Sequence, residues 1–216
     1  ATPILSDIQA IDAIFSVGEE VRLHHHKGDN CTPDSYQPLV TQLDAGASVR
    51  LAPTGGRPTQ TGFPYFNLER TGEAPGGVIV VLGWPGQWAI EFSRTAPGTV
   101  SARGGQETTH FRLQPGEEAR TPRVVLMFWE GERSAAQNTW RRWMLAHNAP
   151  QLVNGPVPPL LTACAGGFFE GLKCNERDEI RFIDAYKAHD IPLDFWWMDA
   201  GWYPCRTWTE TGTWEV

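Results

Sequence analysis

One carboxylate in the sequence stands where α/β proteins commonly place ligand-binding acids. Asp199 ends the apolar run 195–198 and is followed at once by Ala200-Gly201-Trp202. If this run is a strand of a barrel or an open α/β sheet, Asp199 lies at its carboxyl end, the edge where such sheets bind ligands. The alternative is a residue that makes turn hydrogen bonds before Gly201. Asp194 is expected at the opposite end of the strand, where side chains serve stability.

Tryptophan is the second residue type with a possible chemical use. Ten Trp and ten Phe occur beside only four Tyr. Such rings either pack in a core, where each buries about 150–250 Å², or form platforms on which sugar rings stack. Alternation along a barrel strand sends Trp197 and Asp199 to one face and Trp196 and Met198 to the other. Trp197 and Trp202 are therefore the candidates for sugar contact, with core packing as the alternative.

The elements that must position these residues fall into two regions. Up to residue 129 the chain shows short alternating or apolar runs separated by Gly- and Pro-containing turns, the pattern of an antiparallel β-sandwich. The clearest predicted strands are 48–52, 77–83, 88–93, 107–113 and 122–129. Ser134 is then predicted to cap a helix that carries an apolar stripe, and a Pro- and Gly-rich linker follows at 148–159.

After the linker the pattern becomes strand, helix, strand. The runs 160–165 and 193–198 are apolar, and Asn175 is predicted to cap a helix that extends to about residue 190. Such a unit makes two parallel strands with a helical crossover. Parallel strands need cover on both faces, so we expect the polypeptide to continue past Val216. The predicted domains are a β-sandwich at 1–130, a connecting helix and linker at 131–157, and the first part of a barrel at 158–216.

Several motifs resemble one enzyme family. The segment DFWWMDAGWY at 194–203 looks like the second barrel strand of family 36 glycoside hydrolases, the α-galactosidase group. The upstream motifs GGRP at 55–58, FPYFNL at 63–68, GGVI at 76–79 and GWPGQW at 83–88 are similar to the amino-terminal β-sandwich of that family. The resemblance implies a multidomain β plus α/β fold, with an antiparallel sandwich followed by a truncated (β/α)8 TIM barrel.

The resemblance also implies an activity. Family members are retaining exo-glycosidases that hydrolyse terminal α-galactosides or closely related α-linked sugars. The nucleophile and the acid/base of such an enzyme lie about 5–5.5 Å apart, and in the family they come from later barrel strands. We therefore expect no catalytic residue before Val216, and we expect the 216 residues alone to be inactive. The implied role of Asp199 is to accept hydrogen bonds from substrate hydroxyls.

The sequence departs from the family pattern at one position. Ala200 stands where the galactosidases typically place a second Asp that grips the sugar hydroxyls. A charged hydrogen bond in a buried site is worth about 1.5–3 kcal/mol. A modified sugar, such as an N-acetylated one, therefore stays open as the preferred substrate.

Two residues of the predicted sandwich are further substrate-binding candidates. Arg57 and Trp84 lie beside Gly-rich turns that could reach the mouth of the barrel; the alternative is an exposed Arg and a buried Trp. A rival hypothesis makes the sandwich a carbohydrate-binding or assembly module without catalysis of its own. Its sugar platform would use exposed aromatic residues: Phe63, Tyr65, Trp84 and Trp88.

Composition argues against several other classes of function. The net charge is -7 and no basic run occurs, so the phosphate-neutralising patch of a nucleic-acid-binding protein is absent. The apolar stretch 78–82, like every other in the sequence, is far shorter than the roughly 20 residues of a membrane span. We expect no cofactor and no metal site, because alternation along a strand points His25 away from His24 and His26.

The four cysteines lack the paired close spacing of a zinc site. Cys164, Cys174 and Cys205 flank the predicted strands and helix after residue 158, and Cys31 stands apart. A disulfide between Cys174 and Cys205 is the favoured pairing, although spacing alone does not fix connectivity. Such a disulfide would indicate an extracellular or periplasmic protein. The family resemblance makes a homo-oligomer plausible.

Overall fold

The computed structural model describes residues 2–153, 155–164, 175–198 and 202–212. The chain divides into two compact units, Ala1–Asn148 and Ala149–Val216. Among the described residues, every sheet lies within one of these units.

The first unit consists of two main antiparallel sheets. Its described strands are β1 (Leu5–Ser6), β2 (Gln9–Ser16), β3 (Val21–His26), β4 (Pro38–Gln42), β5 (Ser48–Leu51), β6 (Tyr65–Arg70), β7 (Gly76–Gly83), β8 (Trp88–Ala96), β9 (Thr99–Gln106), β10 (His110–Phe111) and β11 (Arg123–Glu130). The five-stranded sheet has the order β11-β7-β6-β3-β4, the four-stranded sheet has the order β2-β9-β8-β5, and β1 pairs with β10. The antiparallel β-sandwich predicted from the sequence is confirmed.

Alternating residues of both sheets form one apolar core. The ring of Phe66 lies 5.7 Å from that of Trp88 and 5.3 Å from that of Phe92, measured between centroids. Period-2 patterning is what brings these side chains inward from neighbouring strands. The fully buried core residues include Val21, Leu23, Leu68, Val78, Val80, Ile90 and Val100.

One predicted strand was wrong. The strand predicted at 107–113 lies instead at Thr99–Gln106, between β2 and β8, and only His110–Phe111 of the predicted segment is extended. The observed strand contains two glycines, which weaken the sequence signal of a strand. A β-carbon at Gly104 would lie 2.5 Å from the carbonyl oxygen of Ala89, and one at Gly105 would lie 2.7 Å from that of Ile8. The glycines therefore permit a close approach of neighbouring backbones.

A single helix, α1 (Arg133–His147), packs on the five-stranded sheet. Its N-cap residue is Glu132, whose side chain makes no capping hydrogen bond, so the predicted cap at Ser134 was wrong. Ala136 is buried against the sheet, and the ring of Trp140 lies 5.8 Å from that of Tyr65. Burial raises the pKa of Tyr65 to about 12, so the phenol beneath the helix stays neutral.

The sheet beneath α1 includes a close approach between a glycine and a tryptophan. Trp129 donates a hydrogen bond from Nε1 to Oδ1 of the buried Asn67, over 3.0 Å. A β-carbon at Gly77 would lie 2.9 Å from Cζ2 of Trp129 and 2.0 Å from the carbonyl oxygen of Leu68. Gly77 therefore leaves room for the indole and for the neighbouring strand.

Gly77→Ala is expected to lower the free energy of unfolding by about 2–3 kcal/mol, because an added methyl group forces a paired backbone to shift. Gly83→Ala, on the same strand, is the matched control. Its nearest contacts would be 3.4 and 3.6 Å, so we expect a change within about 0.5 kcal/mol. Urea denaturation of the two variants checks this. Equal losses of stability would contradict the close approach at Gly77.

The three consecutive histidines lie on β3. This strand pairs with both β4 and β6 and is therefore an interior strand of its sheet. His24 Nε2 lies 2.5 Å from Glu69 Oε2, and His25 Nε2 lies 3.0 Å from Thr41 Oγ1. The three rings therefore have different surroundings.

Burial lowers the pKa of His25 and of His26 below the usual 6.5. For His25 the charges of its two histidine neighbours lower the pKa further, and for His26 the charges of His24 and of Arg133, on α1, do so.

We expect the stability of the first unit to fall as the pH is lowered from about 7.5 to about 5.5. The unfolded chain binds protons on these histidines near their ordinary pKa, whereas the folded chain resists protonation, so stability decreases with decreasing pH. Urea midpoints across this range check the slope. His25→Gln and His26→Gln should make the urea midpoint depend less on pH. His110→Gln, which changes an exposed side chain, should leave the pH dependence as it is in the unsubstituted chain. A urea midpoint of the unsubstituted chain that does not change with pH would contradict this explanation.

The second unit contains the predicted strand, helix and strand. Its described elements are β12 (Gln151–Leu152), β13 (Gly155–Pro156), β14 (Thr162–Cys164), α2 (Glu176–Ala188), β15 (Phe195–Trp197) and a 3₁₀ turn at Trp208–Glu210. Strands β14 and β15 are parallel. Asn175 accepts a hydrogen bond from the backbone N–H of Asp178, which confirms the predicted cap of α2. Two parallel strands do not make a barrel, so the truncated TIM barrel stays a prediction.

Neither of the two described α-helices combines the length and the apolar character that a membrane span requires.

Candidate functional site

The carboxyl ends of β14 and β15 meet at one sheet edge. Cys164 is the register partner of Trp197, so both strands end at the same level. Asp199 follows Trp197 by two residues. Asp199 and Ala200 lie outside the described residues, and the sugar-binding role of Asp199 stays a prediction.

Asp194 connects the opposite ends of these strands by hydrogen bonds. Its Oδ2 accepts a hydrogen bond from the backbone N–H of Leu161 over 2.7 Å, and its own N–H donates to the carbonyl oxygen of Leu161 over 2.8 Å. These bonds join the segments that lead into β14 and β15. Asp194 thus has the structural role expected at this end of the strand.

The two tryptophans of β15 differ in their surroundings. Trp196 donates from Nε1 to Glu179 Oε2 over 2.5 Å, and its ring packs edge-on against Tyr186, with centroids 6.0 Å apart. Both partners belong to α2. Trp197 alternates to the other face and is 60% exposed. The side chain of Trp197 is therefore exposed and that of Trp196 holds the helix, and the sugar contact of Trp197 stays a prediction.

Trp202 is partly covered by its neighbour. Its ring meets the ring of Tyr203 edge-on, with centroids 5.0 Å apart and an interplanar angle of 76°. Tyr203 is buried, and Trp202 remains 36% exposed. One part of the Trp202 ring is thus used in packing and another part faces solvent.

Arg57 lies in a turn of the first unit that hydrogen bonds hold against the sandwich. Gly55 and Gly56, just before it, have positive φ angles of 83° and 84°, a conformation that glycine adopts without strain. The Arg57 side chain is exposed, and its Nε donates to Gln60 Oε1 over 3.4 Å. It also contributes, less than hydrogen bonds from Cys31 and Ser35 do, to lowering the pKa of Asp29 in the adjacent loop.

Two hydrogen bonds hold this turn against the sandwich. Trp88 donates from Nε1 to the carbonyl oxygen of Pro58 over 2.7 Å, and Gln87 donates from Nε2 to that of Pro53 over 2.6 Å. Because the indole of Trp88 is fully buried, the turn is anchored in the core.

Trp84 lines a pocket of about 510 Å³, and Arg57 is not among the residues of its wall. Within the first unit the structure therefore does not bring these two predicted site residues into one pocket. The indole of Trp84 is half-buried and packs against the sandwich core with part of its surface.

Two of the four aromatic residues in the rival hypothesis are buried. Trp88 is 0% exposed and Tyr65 is 8% exposed, so neither forms an exposed platform. Phe63 is half-buried, and its ring meets that of Tyr36 edge-on at 5.6 Å. Trp88 points into the core of the sandwich, whereas Tyr65 lies on the other face of its sheet, beneath α1. A sequence reading without the sheet register and the position of the helix does not distinguish these residues from exposed ones.

The sequence analysis also made predictions about the cysteines and about metal binding. Cys31 and Cys164 are exposed, and Cys174 lies outside the described residues, so the Cys174–Cys205 disulfide stays a prediction. Across the residues that the structure describes, no three His, Cys, Asp or Glu side chains are grouped so as to hold a metal ion.

The pocket beside Trp84 also contains residues that sequence reasoning missed. Phe111, Leu113 and Glu117 belong to its wall. They lie in or next to the segment between β10 and β11, which has almost no regular secondary structure. Beyond residue 113 the sequence has no period of 2 or 3.6, so it carried no signal that this segment shares a pocket with Trp84.

Comparison with known proteins shows a fold shared with glycosidases. No protein-family model matches the chain, and no curated protein matches it significantly. The α-galactosidase of Lactobacillus brevis aligns with 90% of this chain and 26% of its own, with a TM-score of 0.69 and 13% identity. The galactosidase domain of the α-galactosidase-sucrose kinase AgaSK aligns with 91% of this chain and 27% of its own, with a TM-score of 0.71 and 18% identity.

A third similar structure carries a ligand. It is a variant of the GH36 α-galactosidase AgaA from Geobacillus stearothermophilus in complex with 1-deoxygalactonojirimycin, with a TM-score of 0.70, 15% identity and coverage of 90% of this chain and 27% of that one. A further variant of AgaA was solved with raffinose. The chain thus spans about a quarter of the length of these structures. The resemblance to family 36 seen in the sequence is matched by the fold.

Proposed function

We propose that this chain is part of a retaining exo-glycosidase that releases terminal α-galactosyl or closely related α-linked sugars. The observation that carries the proposal is the fold shared with GH36 α-galactosidases over 90% of the chain. The motif at 194–203 supports it independently, because it resembles a sugar-pocket strand and contains β15, which pairs in parallel with β14.

In this proposal the two units have different tasks. The second unit is the start of a (β/α)8 barrel, in which Asp199 accepts hydrogen bonds from substrate hydroxyls and Trp197 and Trp202 contact the sugar ring. Arg57 and Trp84 of the sandwich are further substrate contacts. The nucleophile and the acid/base, about 5–5.5 Å apart in a retaining enzyme, come from later parts of the parent protein.

The alternative function, a carbohydrate-binding sandwich without catalysis, is proposed second. Its case is weakened by the burial of Trp88 and Tyr65, and its main remaining support is Trp84, which lines a pocket of the first unit.

The experiment that tests the proposed function compares the parent protein with the 216-residue chain. Both are assayed for release of the aryl group from an aryl α-galactoside and from an aryl α-N-acetylgalactosaminide. We expect turnover of at least one substrate by the parent and none by the chain of 216 residues. Turnover by the short chain would show that the catalytic carboxylates lie within it. A folded parent that hydrolyses neither substrate would refute the proposal.

A further inference from the structure

The pocket beside Trp84 has the size and composition of a small-molecule site. Its volume is about 510 Å³, within the range of about 300–1,000 Å³ typical of ligand pockets. Trp84, Phe111 and Leu113 form apolar parts of its wall, and Gln106, Arg112 and Glu117 are polar parts. All of these residues belong to the first unit.

The position of the Trp84 ring is set by its surroundings. Part of the indole packs against the sandwich core. A β-carbon at Gly86 would lie 3.2 Å from its Nε1, so the turn between β7 and β8 lies close against the ring. The indole is therefore held in place before any ligand binds, which lowers the entropic cost of binding.

Hydrogen-bonding groups near this ring lack protein partners. Among the described residues, no hydrogen bond or ion pair engages the side chains of Gln106 and Arg112. Glu117 accepts one hydrogen bond, from the backbone N–H of Gln114 over 2.7 Å, through Oε2. Arg103, by contrast, forms an ion pair with Asp7. Open donors and acceptors therefore line the pocket beside the Trp84 ring.

We propose that this pocket is a carbohydrate-binding site that takes a neutral pyranose. The apolar face of a sugar ring stacks on an indole, and its hydroxyls both donate and accept hydrogen bonds. Gln106 and Arg112 supply donors, and Gln106 and Glu117 supply acceptors. The wall holds two guanidinium groups, of Arg112 and Arg120, and one carboxylate, of Glu117, so it offers both donors and acceptors to the hydroxyls of an uncharged sugar. The proposal of a sugar site is based on the residues of this pocket. It rests on the proposed function only in the choice of galactosides as probes.

The test measures sugar binding by the 216-residue chain. Methyl α-D-galactopyranoside and raffinose are titrated into it and followed by ligand-observed NMR, with saturation expected for at least one. Trp84→Ala should weaken binding about tenfold or more, a change of about 1.4 kcal/mol. Arg112→Ala, which alters an exposed side chain, should weaken it about threefold without affecting the fold. Trp143→Ala, which alters a half-buried tryptophan of α1 outside the pocket wall, is the control and should bind as the parent does.

Three results would overturn the inference: no saturation by either sugar, unchanged affinity in both folded pocket variants, or binding that depends on Trp197 instead of Trp84. The proposed function fails differently. If the parent protein hydrolyses no α-glycoside while sugar binding still requires Trp84 and Arg112, the pocket assignment holds and the proposed enzyme activity is wrong.

Discussion

Replacing Trp88 with alanine is expected to lower the free energy of unfolding by about 3–5 kcal/mol, the usual cost of removing a large buried aromatic side chain. Trp88 is fully buried, packs against Phe66, and donates a hydrogen bond to Pro58 over 2.7 Å. The variant therefore loses core contacts and an anchor of the turn that carries Arg57. Chemical denaturation measures the effect.

The matched control is Phe128→Ala, which removes an aromatic side chain that is 69% exposed. We expect it to cost about 1 kcal/mol or less, since Phe128 makes an edge contact with Phe15 at 6.1 Å. The comparison also decides between uses of Trp88. A stable Trp88→Ala variant that has lost sugar binding would make Trp88 the platform of a carbohydrate-binding sandwich, against the burial seen here.

Asp199→Asn in the parent protein is expected to lower kcat/KM by about 10–150-fold with little change in stability. The substitution keeps the shape of the side chain but weakens charge-assisted hydrogen bonds worth about 1.5–3 kcal/mol, and tenfold in rate corresponds to about 1.36 kcal/mol. Steady-state kinetics with an aryl α-glycoside measure the change. A value of kcat/KM equal to that of the parent would reduce Asp199 to a turn residue.

A second experiment separates a substrate-holding Asp199 from a nucleophile. Removing a nucleophile abolishes the covalent path, and an external anion in the vacated space restores turnover. We expect no rescue of Asp199→Ala by azide or formate, because a lost hydrogen-bond acceptor is not replaced in this way. Rescue would identify Asp199 as the nucleophile.

The sandwich was predictable from the sequence where a strand alternates apolar and polar residues, as in β8, or forms a continuous apolar run, as in β11. The strand β9 was not, because Gly104 and Gly105 meet neighbouring backbone at distances that only glycine allows. That constraint arises from the partner strands and has no local signature. The cap of α2 was predictable, since the Asn175 side chain accepts from Asp178 N–H, whereas α1 begins at a residue with no side-chain cap.

The residues of the candidate sites were likewise predictable only in part. The opposite faces of Trp196 and Trp197 follow from strand alternation, and their contrasting contacts agree with it. The burial of Tyr65 beneath α1 depends on where a helix docks, which the pattern of β6 does not encode. The wall of the Trp84 pocket comes from a segment with little regular structure, so its assembly depends on tertiary packing.

The central claim is that a sugar binds at the carboxyl end of β15. The most direct measurement is a crystal structure of the parent protein with 1-deoxygalactonojirimycin, the compound bound in a similar α-galactosidase. The account predicts that its hydroxyls lie within about 3 Å of the Asp199 carboxylate, with Trp197 or Trp202 against its ring. An inhibitor bound elsewhere, with Asp199 turned into hydrogen bonds of its own loop, would contradict the claim.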